Sequence, residues 1–355
     1  MRIVVTGATG NVGSRLLPQL LTCPSVTSVV GIARRLDPAR DSRVDWRSAD
    51  VAEQDLRPLL RGADVVIHLA WLLQPAHDPA EMARVNLGGT RNVVDAVVAE
   101  GVPALVHASS VGAYSPVEDK SARVGEDHPT GGISSSTYSR HKARAERMLD
   151  ELQQEHQERR VVRLRPGVVL QAAAASELAR YFLGPFVPQS LVRRALLPLV
   201  PAVSRLAVQA VHAEDVASAY VLAATTPVTG AFNIAAEPVL EAAVLARLLS
   251  ARQVSLPAAV LRGLVDATWR LHLQPTDPGW VDIARLGPLM DTTRAQDVLG
   301  WTPRTDAGTA LVETLDAMAH GLGGGGAPVL RPRTGGAARA LELARGLIPG
   351  SGSTG

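Results

Sequence analysis

Tyr138 and Lys142 stand four residues apart in a segment whose apolar spacing predicts a helix over residues 137–157. This spacing places both side chains on one helix face, one turn apart. A phenol with a pKa of about 10 is a weak base at neutral pH, but a nearby ammonium favours its deprotonated form. Such a tyrosine could exchange a proton with a substrate during a redox step. The alternative is a surface tyrosine on an amphipathic helix.

Lys142 and Lys120 are the only lysines among 36 basic residues, which favours a role that needs an ammonium.

Three glycines, Gly7, Gly10 and Gly13, follow a short apolar strand and precede a helical segment. Gly7 permits a sharp turn, Gly10 lets a pyrophosphate approach the backbone, and Gly13 lets the helix pack against the strand. The amides of Asn11 and Val12 would then lie at a helix N-terminus, which favours an anion. The spacing has one residue more than the common fingerprint. It predicts a dinucleotide-binding turn; the alternative is a glycine-rich turn that binds nothing.

Two serines end another predicted strand. Ser109 and Ser110 follow the apolar run at 104–108. Doubly wound sheets bind their ligands at the carboxyl ends of strands. A hydroxyl at this position could donate to a substrate carbonyl oxygen, and the residues alone leave the choice between the two serines open.

The first half of the chain alternates short β-branched runs with helical patterns. This alternation predicts an α/β fold, a doubly wound parallel (Rossmann-type) sheet with helices on both faces. The predicted strands are 2–6, 26–33, 44–49, 64–69, 104–109 and 161–165, and the predicted helices are 11–21, 53–61, 79–100 and 137–157.

The second half is less regular and richer in proline. Strands are predicted at 207–212 and 232–234, and helices at 214–224, 240–251, 258–271, 294–299 and 307–320. We interpret residues 1–170, completed by about 207–235, as the nucleotide-binding domain. Residues 171–206 and 236–322 then form a smaller, interleaved C-terminal substrate lobe. The glycine-rich composition of 323–355 predicts a disordered tail.

Composition excludes several classes of protein. The 355 residues include 46% hydrophobic and 20% charged residues, as in an ordinary globular protein. The net charge is +2 with no long basic run, so no nucleic-acid partner is expected. Cys23 is the single cysteine, so neither an internal disulfide nor a cysteine metal site is expected. We find no signal peptide and no membrane span, so a cytoplasmic protein without a membrane partner is expected. A homodimer is left open.

Several stretches together carry a family resemblance. The chain resembles the extended branch of the short-chain dehydrogenase/reductase superfamily, which includes the NAD-dependent epimerase/dehydratase family. The resemblance covers roughly residues 1–320 and implies a catalytic group of Ser110, Tyr138 and Lys142, with Lys142 also binding the cofactor ribose. The family's serine lies five residues before the position of Ser115, which selects Ser110 over Ser109. The matching stretches, in family order, are "VVTGATGNVG", "DVVIHLA", "VNLGGTRNVVDA", "LVHASSVGAYS", "YSRHK", "VHAEDVASAY" and "DTTRAQDVLGWTP".

The cofactor prediction depends on the end of the second strand. An acidic residue about 20 positions beyond the glycines usually binds the adenosine ribose. Arg34 and Arg35 stand there instead, and guanidinium groups suit a 2′-phosphate. We therefore expect NADP over NAD; the alternative is NAD, with Asp37 on the ribose.

The resemblance implies further cofactor contacts. It places Asp50 and Val51 at the adenine. It places the backbone of Leu69 and Ala70 beside the ribose and pyrophosphate.

The substrate prediction comes from departures from the family pattern. Nucleotide-sugar members commonly carry asparagine where this chain has Val168, tyrosine where it has Met82, and a small residue where it has Trp71. These changes favour an NAD(P)-dependent oxidoreductase that transfers hydride between nicotinamide and a carbonyl or hydroxyl group of a mostly apolar small molecule. Further apolar candidates for the pocket wall are Leu72, Leu73, Phe182 and Phe186.

Two alternatives remain. One is a nucleotide-sugar epimerase or dehydratase with the same catalytic group. The other is a non-catalytic NADP-sensing protein on the same fold, against which the Tyr138–Lys142 pair argues.

The remaining polar residues have structural interpretations. His68 and His107 are predicted to be hydrogen-bonded core histidines, and Asn86 to make a structural hydrogen bond. His141 is expected to face away from the site, and His77 is a candidate pocket residue.

Overall fold

A computed structural model describes residues 1–36, 41–73, 77–182, 198–320 and 322, with the backbone alone at 180–182. Asp37, Phe186, the side chain of Phe182 and the predicted tail at 323–355 lie outside the described residues. Interpretations that depend on them stay predictions.

The core of the fold is a seven-stranded sheet in which every neighbouring pair is parallel. Its spatial order is β3-β2-β1-β4-β5-β7-β11. The predicted doubly wound, Rossmann-type α/β fold is confirmed. The strands are β1 (Arg2–Thr6), β2 (Ser28–Ala33), β3 (Asp45–Ser48), β4 (Val65–His68), β5 (Ala104–Ala108), β7 (Arg160–Pro166) and β11 (Gly230–Ile234).

Helices cover both faces of this sheet. On one face, α1 (Gly13–Thr22) and α7 (Ala213–Thr225) pack on Ile3 and Val5. On the other, α4 (Gly89–Ala99) and α5 (Thr137–Glu155) pack around Val4. Successive residues of a strand point to opposite faces, so burial of both faces requires the near-continuous apolar runs seen in the sequence. Two shorter helices, α2 (Arg57–Leu60) and α3 (Pro79–Ala83), also lie in the first half of the chain.

The remaining elements form smaller sheets and helices beyond the main sheet. The strands are β6 (Arg123–Val124), β8 (Val168–Leu170), β9 (Leu199–Ala202), β10 (Ala207–His212), β12 (Ala236–Glu241), β13 (Arg252–Ser255) and β14 (Leu289–Met290). The helices are α6 (Ala175–Phe182), α8 (Ala242–Leu249), α9 (Ala258–Arg270), α10 (Gly279–Leu286), α11 (Thr293–Asp297) and α12 (Ala307–Ala319). The division into a nucleotide-binding domain and a substrate lobe stays a prediction.

Several elements differ from the sequence prediction, and three of them are instructive. The helix predicted at 240–251 begins only at Ala242, because Ala236–Glu241 pairs antiparallel with β10 and this pairing overrides the helical pattern. The helix predicted at 79–100 contains a π-helical turn at Arg84–Gly88. Helix α10 was not predicted; its eight residues follow a proline-rich stretch.

Within the described ranges, the helices are all too short or too polar to cross a membrane. The same residues contain no group of three or more His, Cys, Asp or Glu side chains that could hold a metal ion.

Candidate active site

The serine and tyrosine predicted to be catalytic meet at the carboxyl edge of the main sheet. Ser110 follows β5, and its Oγ accepts a hydrogen bond of 3.0 Å from the amide of Gly112. Ser110 lies close enough to Tyr138 to lower the pKa of its phenol. A Cβ on Gly112 would lie 2.8 Å from the Tyr138 ring, so a glycine at this position is needed for the ring to approach. The structure therefore brings together two residues that the sequence placed on separate elements.

Lys142 lies one turn further along α5 and is buried. Its Nζ donates to the carbonyl oxygen of Ala108, at the end of β5, over 2.7 Å. The same Nζ lies 3.3 Å from the centroid of the Trp71 ring and 5.8 Å from that of Tyr138. The ammonium is thus fixed between a strand end and an indole face.

The electrostatics of this group differ from the sequence prediction. Burial raises the pKa of Tyr138 to about 12, although the hydrogen bond from Ser110 acts in the opposite direction. Burial also lowers the pKa of Lys142 well below its usual range, opposed by the charge of Glu146. The expectation that the ammonium favours the phenolate was wrong for the protein alone, because burial is the larger effect.

Two tryptophans flank Tyr138. Trp280, near the start of α10, stacks on the phenol ring with centroids 4.7 Å apart and an interplanar angle of 30°. Trp71 meets the same ring edge to face at 6.3 Å. Sequence analysis named Trp71 and missed Trp280, whose one local signal is the Pro-Gly-Trp helix start. The candidate site therefore has apolar, aromatic walls.

A buried ion-pair network lies next to the candidate catalytic residues. Ser109 Oγ donates to Glu146 Oε1 at 2.5 Å, and Arg165 donates to both carboxylate oxygens, at 2.8 and 3.0 Å. Arg165 also donates to the hydroxyl of Tyr114. The Ser109 hydroxyl is thus part of this buried network. Glu146 was missed, although it continues the four-residue spacing of Tyr138 and Lys142.

The buried histidines behave differently from one another. His68 is hydrogen-bonded through both ring nitrogens, to the hydroxyls of Thr6 and Thr90, as predicted. For His107 the prediction was wrong: it is buried, yet neither ring nitrogen has a hydrogen-bond partner among the described residues. Its surroundings are rings, His68 at 5.3 Å and Trp71 at 6.4 Å between centroids, and these offer it no acceptor.

Sequence analysis also made predictions for three other polar residues, His141, His77 and Asn86. His141 is buried on α5, and burial lowers its pKa to about 4. His77 stacks between Trp269 and His272. Asn86 makes the structural hydrogen bonds expected of it, which hold the backbone at position 72.

The glycine turn has the geometry that a dinucleotide requires. Gly7 has φ +70°, and a Cβ there would lie 2.6 Å from the amide nitrogen of Ala70. A Cβ on Gly13 would lie 2.4 Å from the carbonyl oxygen of Ala8, so Gly13 permits close packing. A Cβ on Gly10 would meet only the Gly7 carbonyl oxygen, at 3.3 Å, so the backbone is open to an approaching group. Val12 precedes α1, and no side chain caps this helix. The residues present fit a pyrophosphate.

Asn11 has a further structural role. Its side-chain amide donates to the carbonyl oxygen of Val169, and its Oδ1 accepts from Gln171 at 2.6 Å. Gln171 is fully buried and also accepts from Arg15 Nε. Sequence analysis missed Gln171, because its contact joins residues 160 positions apart. The contact ties the glycine turn to the chain after β8.

The other predicted cofactor residues line the same edge of the sheet. Arg34 and Arg35 are exposed directly after β2. Asp50 accepts from the amide of Ala52 and lies 3.6 Å from an Arg84 nitrogen.

Three further residues that the resemblance assigns to the cofactor also follow strands of this sheet. Val51 is buried in the core. The amide of Leu69 donates to the carbonyl oxygen of Thr6, and Ala70 lies against Gly7. All of these roles stay predictions.

A parallel sheet with a glycine turn at its switch point and a Ser-Tyr-Lys group at its carboxyl edge defines a Rossmann-type α/β protein of the short-chain dehydrogenase/reductase kind. Residues 3–235 match the NAD dependent epimerase/dehydratase family. The chain belongs to this family, and the predicted resemblance is confirmed.

Relatives of different activities match parts of the chain. The uncharacterized protein Rv2047c of Mycobacterium tuberculosis is 26% identical over 326 residues, which are 91% of this chain. The match covers 31% of that protein, so the chain spans about a third of its length. The UDP-glucose 4-epimerase of Mycolicibacterium smegmatis is 32% identical over 158 residues, 39% of this chain and 50% of the relative. A putative dihydroflavonol 4-reductase of Synechocystis is 32% identical over 116 residues, 31% of this chain and 32% of the relative.

Solved structures share the fold over most of the chain. MoeE5 in complex with UDP-glucuronic acid and NAD has a TM-score of 0.64 and 24% identity, covering 91% of this chain and 100% of MoeE5. The Thermus thermophilus UDP-glucose 4-epimerase in complex with NAD has a TM-score of 0.65 and 21% identity, covering 90% and 99%.

Proposed function

We propose that this protein is an NAD(P)-dependent oxidoreductase that acts on a carbonyl or hydroxyl group of a mostly apolar small molecule. The observation that carries the proposal is the close approach of the Tyr138 ring to Gly112, whose amide binds Ser110 Oγ, with Lys142 one turn away at the same sheet edge. A bound nicotinamide dinucleotide would supply the ring that exchanges a hydride with the substrate. Family membership supports this class of enzyme.

In this proposal the proton is handled by Tyr138. Its hydroxyl donates a proton to the substrate oxygen during reduction and accepts one from the substrate hydroxyl during oxidation. Ser110 lies beside Tyr138, on the other side of Gly112, and donates to the same substrate oxygen. Lys142 supplies a positive charge near the phenol ring, at 5.8 Å from its centroid.

The cofactor would be held by the glycine turn and its neighbours. Gly10 and the helix N-terminus at Asn11 and Val12 would bind the pyrophosphate. Lys142 would bind the nicotinamide ribose. We propose NADP as the preferred cofactor because Arg34 and Arg35 are exposed where the adenosine ribose of this fold is bound.

The apolar substrate is supported by the walls around Tyr138. Trp280 and Trp71 flank the phenol ring, and Leu72 and Leu73 are half-buried beside Trp71 in the chain. Val168 begins β8 with 38% of its surface exposed and has no donor for a sugar diphosphate. Aromatic rings stabilise planar apolar groups by stacking.

A nucleotide-sugar epimerase is the second candidate, because the structural neighbours include enzymes solved with UDP-sugars and NAD. One experiment separates the two. The protein is assayed for NADPH oxidation and NADP⁺ reduction with a panel of apolar ketones and alcohols, and for epimerisation of UDP-glucose and dTDP-glucose. Turnover of a ketone that depends on Tyr138 supports the proposal. Turnover of the sugar nucleotides alone replaces it with the second candidate.

A further inference from the structure

The Lys142 ammonium faces an indole in the cleft where the proposed cofactor would bind. Lys142 Nζ lies 3.3 Å from the centroid of the Trp71 ring, which is a close cation–π contact. An ammonium has three N–H groups, and one of them is used by the carbonyl oxygen of Ala108. The face of the Trp71 indole occupies the direction of a second N–H group. The ammonium therefore has little capacity left for the two hydroxyls of a ribose.

The backbone around Trp71 is fixed on both sides. Asn86, fully buried, accepts from the amide of Leu72 at 2.7 Å and donates to its carbonyl oxygen at 2.9 Å. Before Trp71, Ala70 packs against Gly7 so closely that no Cβ fits between them. Rotation of its side chain is the change of contacts at Trp71 that leaves these backbone contacts intact.

The indole itself is held by few polar contacts. Its Nε1 is buried and has no hydrogen-bond partner among the described residues. The ring contacts His107 and Tyr138 edge to face, at 6.4 and 6.3 Å. The ammonium is therefore the strongest polar partner that the described residues give this ring.

We propose that Trp71 is a positioning residue that holds the Lys142 ammonium and competes with the cofactor for it. The inference rests on the proposed function, because it assigns the ribose to Lys142. In the free protein the indole shields the ammonium, and cofactor binding requires the side chain of Trp71 to release it. Loss of the indole then makes cofactor binding tighter, whereas a tryptophan that served as a stacking platform for the cofactor would make it weaker when removed.

The test is a double-mutant cycle read by isothermal titration calorimetry with NAD⁺ and NADP⁺, without any substrate. Trp71→Leu should tighten binding of the preferred cofactor by at least about threefold, which is the lower end of the range for a cation–π contact. In a Lys142→Met background the same change should have no effect, because the ammonium is gone. Trp71→Phe keeps a ring face and should fall between wild type and Trp71→Leu. Trp269→Leu, a tryptophan change in the His77 stack, is the matched control.

Unchanged or weaker binding by Trp71→Leu overturns the inference. Equal tightening in the Lys142→Met background also overturns it, because the indole would then act by bulk alone. If Trp71→Leu does not fold, the Trp71→Phe variant decides by the same criteria. A wild-type protein that binds neither cofactor removes the proposed function, and with it the inference, whereas cofactor binding without a Trp71 effect removes only the inference.

Discussion

Ser109 Oγ donates to Glu146 Oε1 over 2.5 Å, in a position where neither side chain is exposed to water. Arg165 completes the pair with two hydrogen bonds to the same carboxylate. The contact links the strand end that carries Ser110 to the helix that carries Tyr138 and Lys142. The geometry of the candidate site therefore depends on a buried charged group outside the Ser110, Tyr138 and Lys142 cluster.

Glu146→Gln should strongly destabilise the fold. The substitution leaves the Arg165 guanidinium buried without its carboxylate, which costs about 3–5 kcal/mol for a broken buried pair. Urea denaturation at pH 7 measures the loss. Glu151→Gln is the matched control, because Glu151 pairs with Arg91 on the exposed side of the same helix, where a loss below about 1 kcal/mol is expected. Equal effects of the two variants would contradict this prediction.

The effect of Glu146→Gln should also depend on pH. Burial alone would raise the pKa of Glu146, but the hydrogen bonds from Arg165 and Ser109 are stronger in sum and lower it. A carboxylate with a lowered folded-state pKa contributes stability above its unfolded pKa of about 4.3, and this is lost as pH falls through the folded value. The difference between wild type and Glu146→Gln should thus shrink between pH 7 and pH values of about 3. A constant difference would show that packing, not charge, is lost.

Tyr138→Phe should abolish turnover and spare cofactor binding. The phenyl ring retains the stack on Trp280, while the hydroxyl that exchanges the proton is removed. Loss of a proton donor of this kind costs about 10²–10⁴-fold in kcat. Turnover of the identified substrate and calorimetric cofactor affinity are measured together. Tyr220→Phe, a buried tyrosine on α7, is the control and should keep wild-type turnover. Wild-type turnover by Tyr138→Phe would falsify the assigned proton transfer.

Arg34→Ser combined with Arg35→Ser should remove a preference for NADPH over NADH. Charge-assisted hydrogen bonds to a 2′-phosphate are worth about 1.5–3 kcal/mol each, and exposure places the preference near the tenfold equivalent of about 1.4 kcal/mol. The preference should decrease as salt rises because exposed charges are screened. Affinities for both cofactors at two ionic strengths provide the measurement. The double variant Arg61→Ser with Arg91→Ser removes the same charge elsewhere and should leave the preference intact. Equal affinities of the wild-type protein for NADPH and NADH would mean that Arg34 and Arg35 do not contribute to cofactor preference.

His107→Leu should make the protein less sensitive to acid. Burial, with smaller contributions from His68 and Lys142, lowers the pKa of His107 well below its usual range. The folded protein keeps this histidine neutral, whereas the unfolded chain binds a proton below about pH 6.5, so stability falls by up to about 1.4 kcal/mol per pH unit below that value. Leucine at this position removes the part of the pH dependence that comes from His107, and it also removes the unpaired imidazole. Urea denaturation at pH 8 and pH 5 provides the comparison, with the exposed His320→Leu as control. A pH dependence identical to that of wild type would contradict the prediction.

The sequence alone determined the features that depend on neighbouring residues. The alternation of strands and helices, the glycine turn and the spacing of Tyr138 and Lys142 are local, because backbone geometry converts a short spacing directly into a turn or a shared helix face. The apolar runs of β1 and β5 likewise predicted a sheet buried on both faces. Family-specific motifs then selected Ser110 from two adjacent serines.

Only the tertiary structure decided the contacts between distant side chains. The Trp280 ring on Tyr138, the Trp71 indole on Lys142, and Gln171 on Asn11 join elements far apart in the chain. Such contacts depend on how helices and loops pack, and no local spacing encodes that packing. For the same reason two further features could not be predicted from the sequence: the burial that sets the pKa of Tyr138, and the lack of a hydrogen-bond partner for His107 among the described residues.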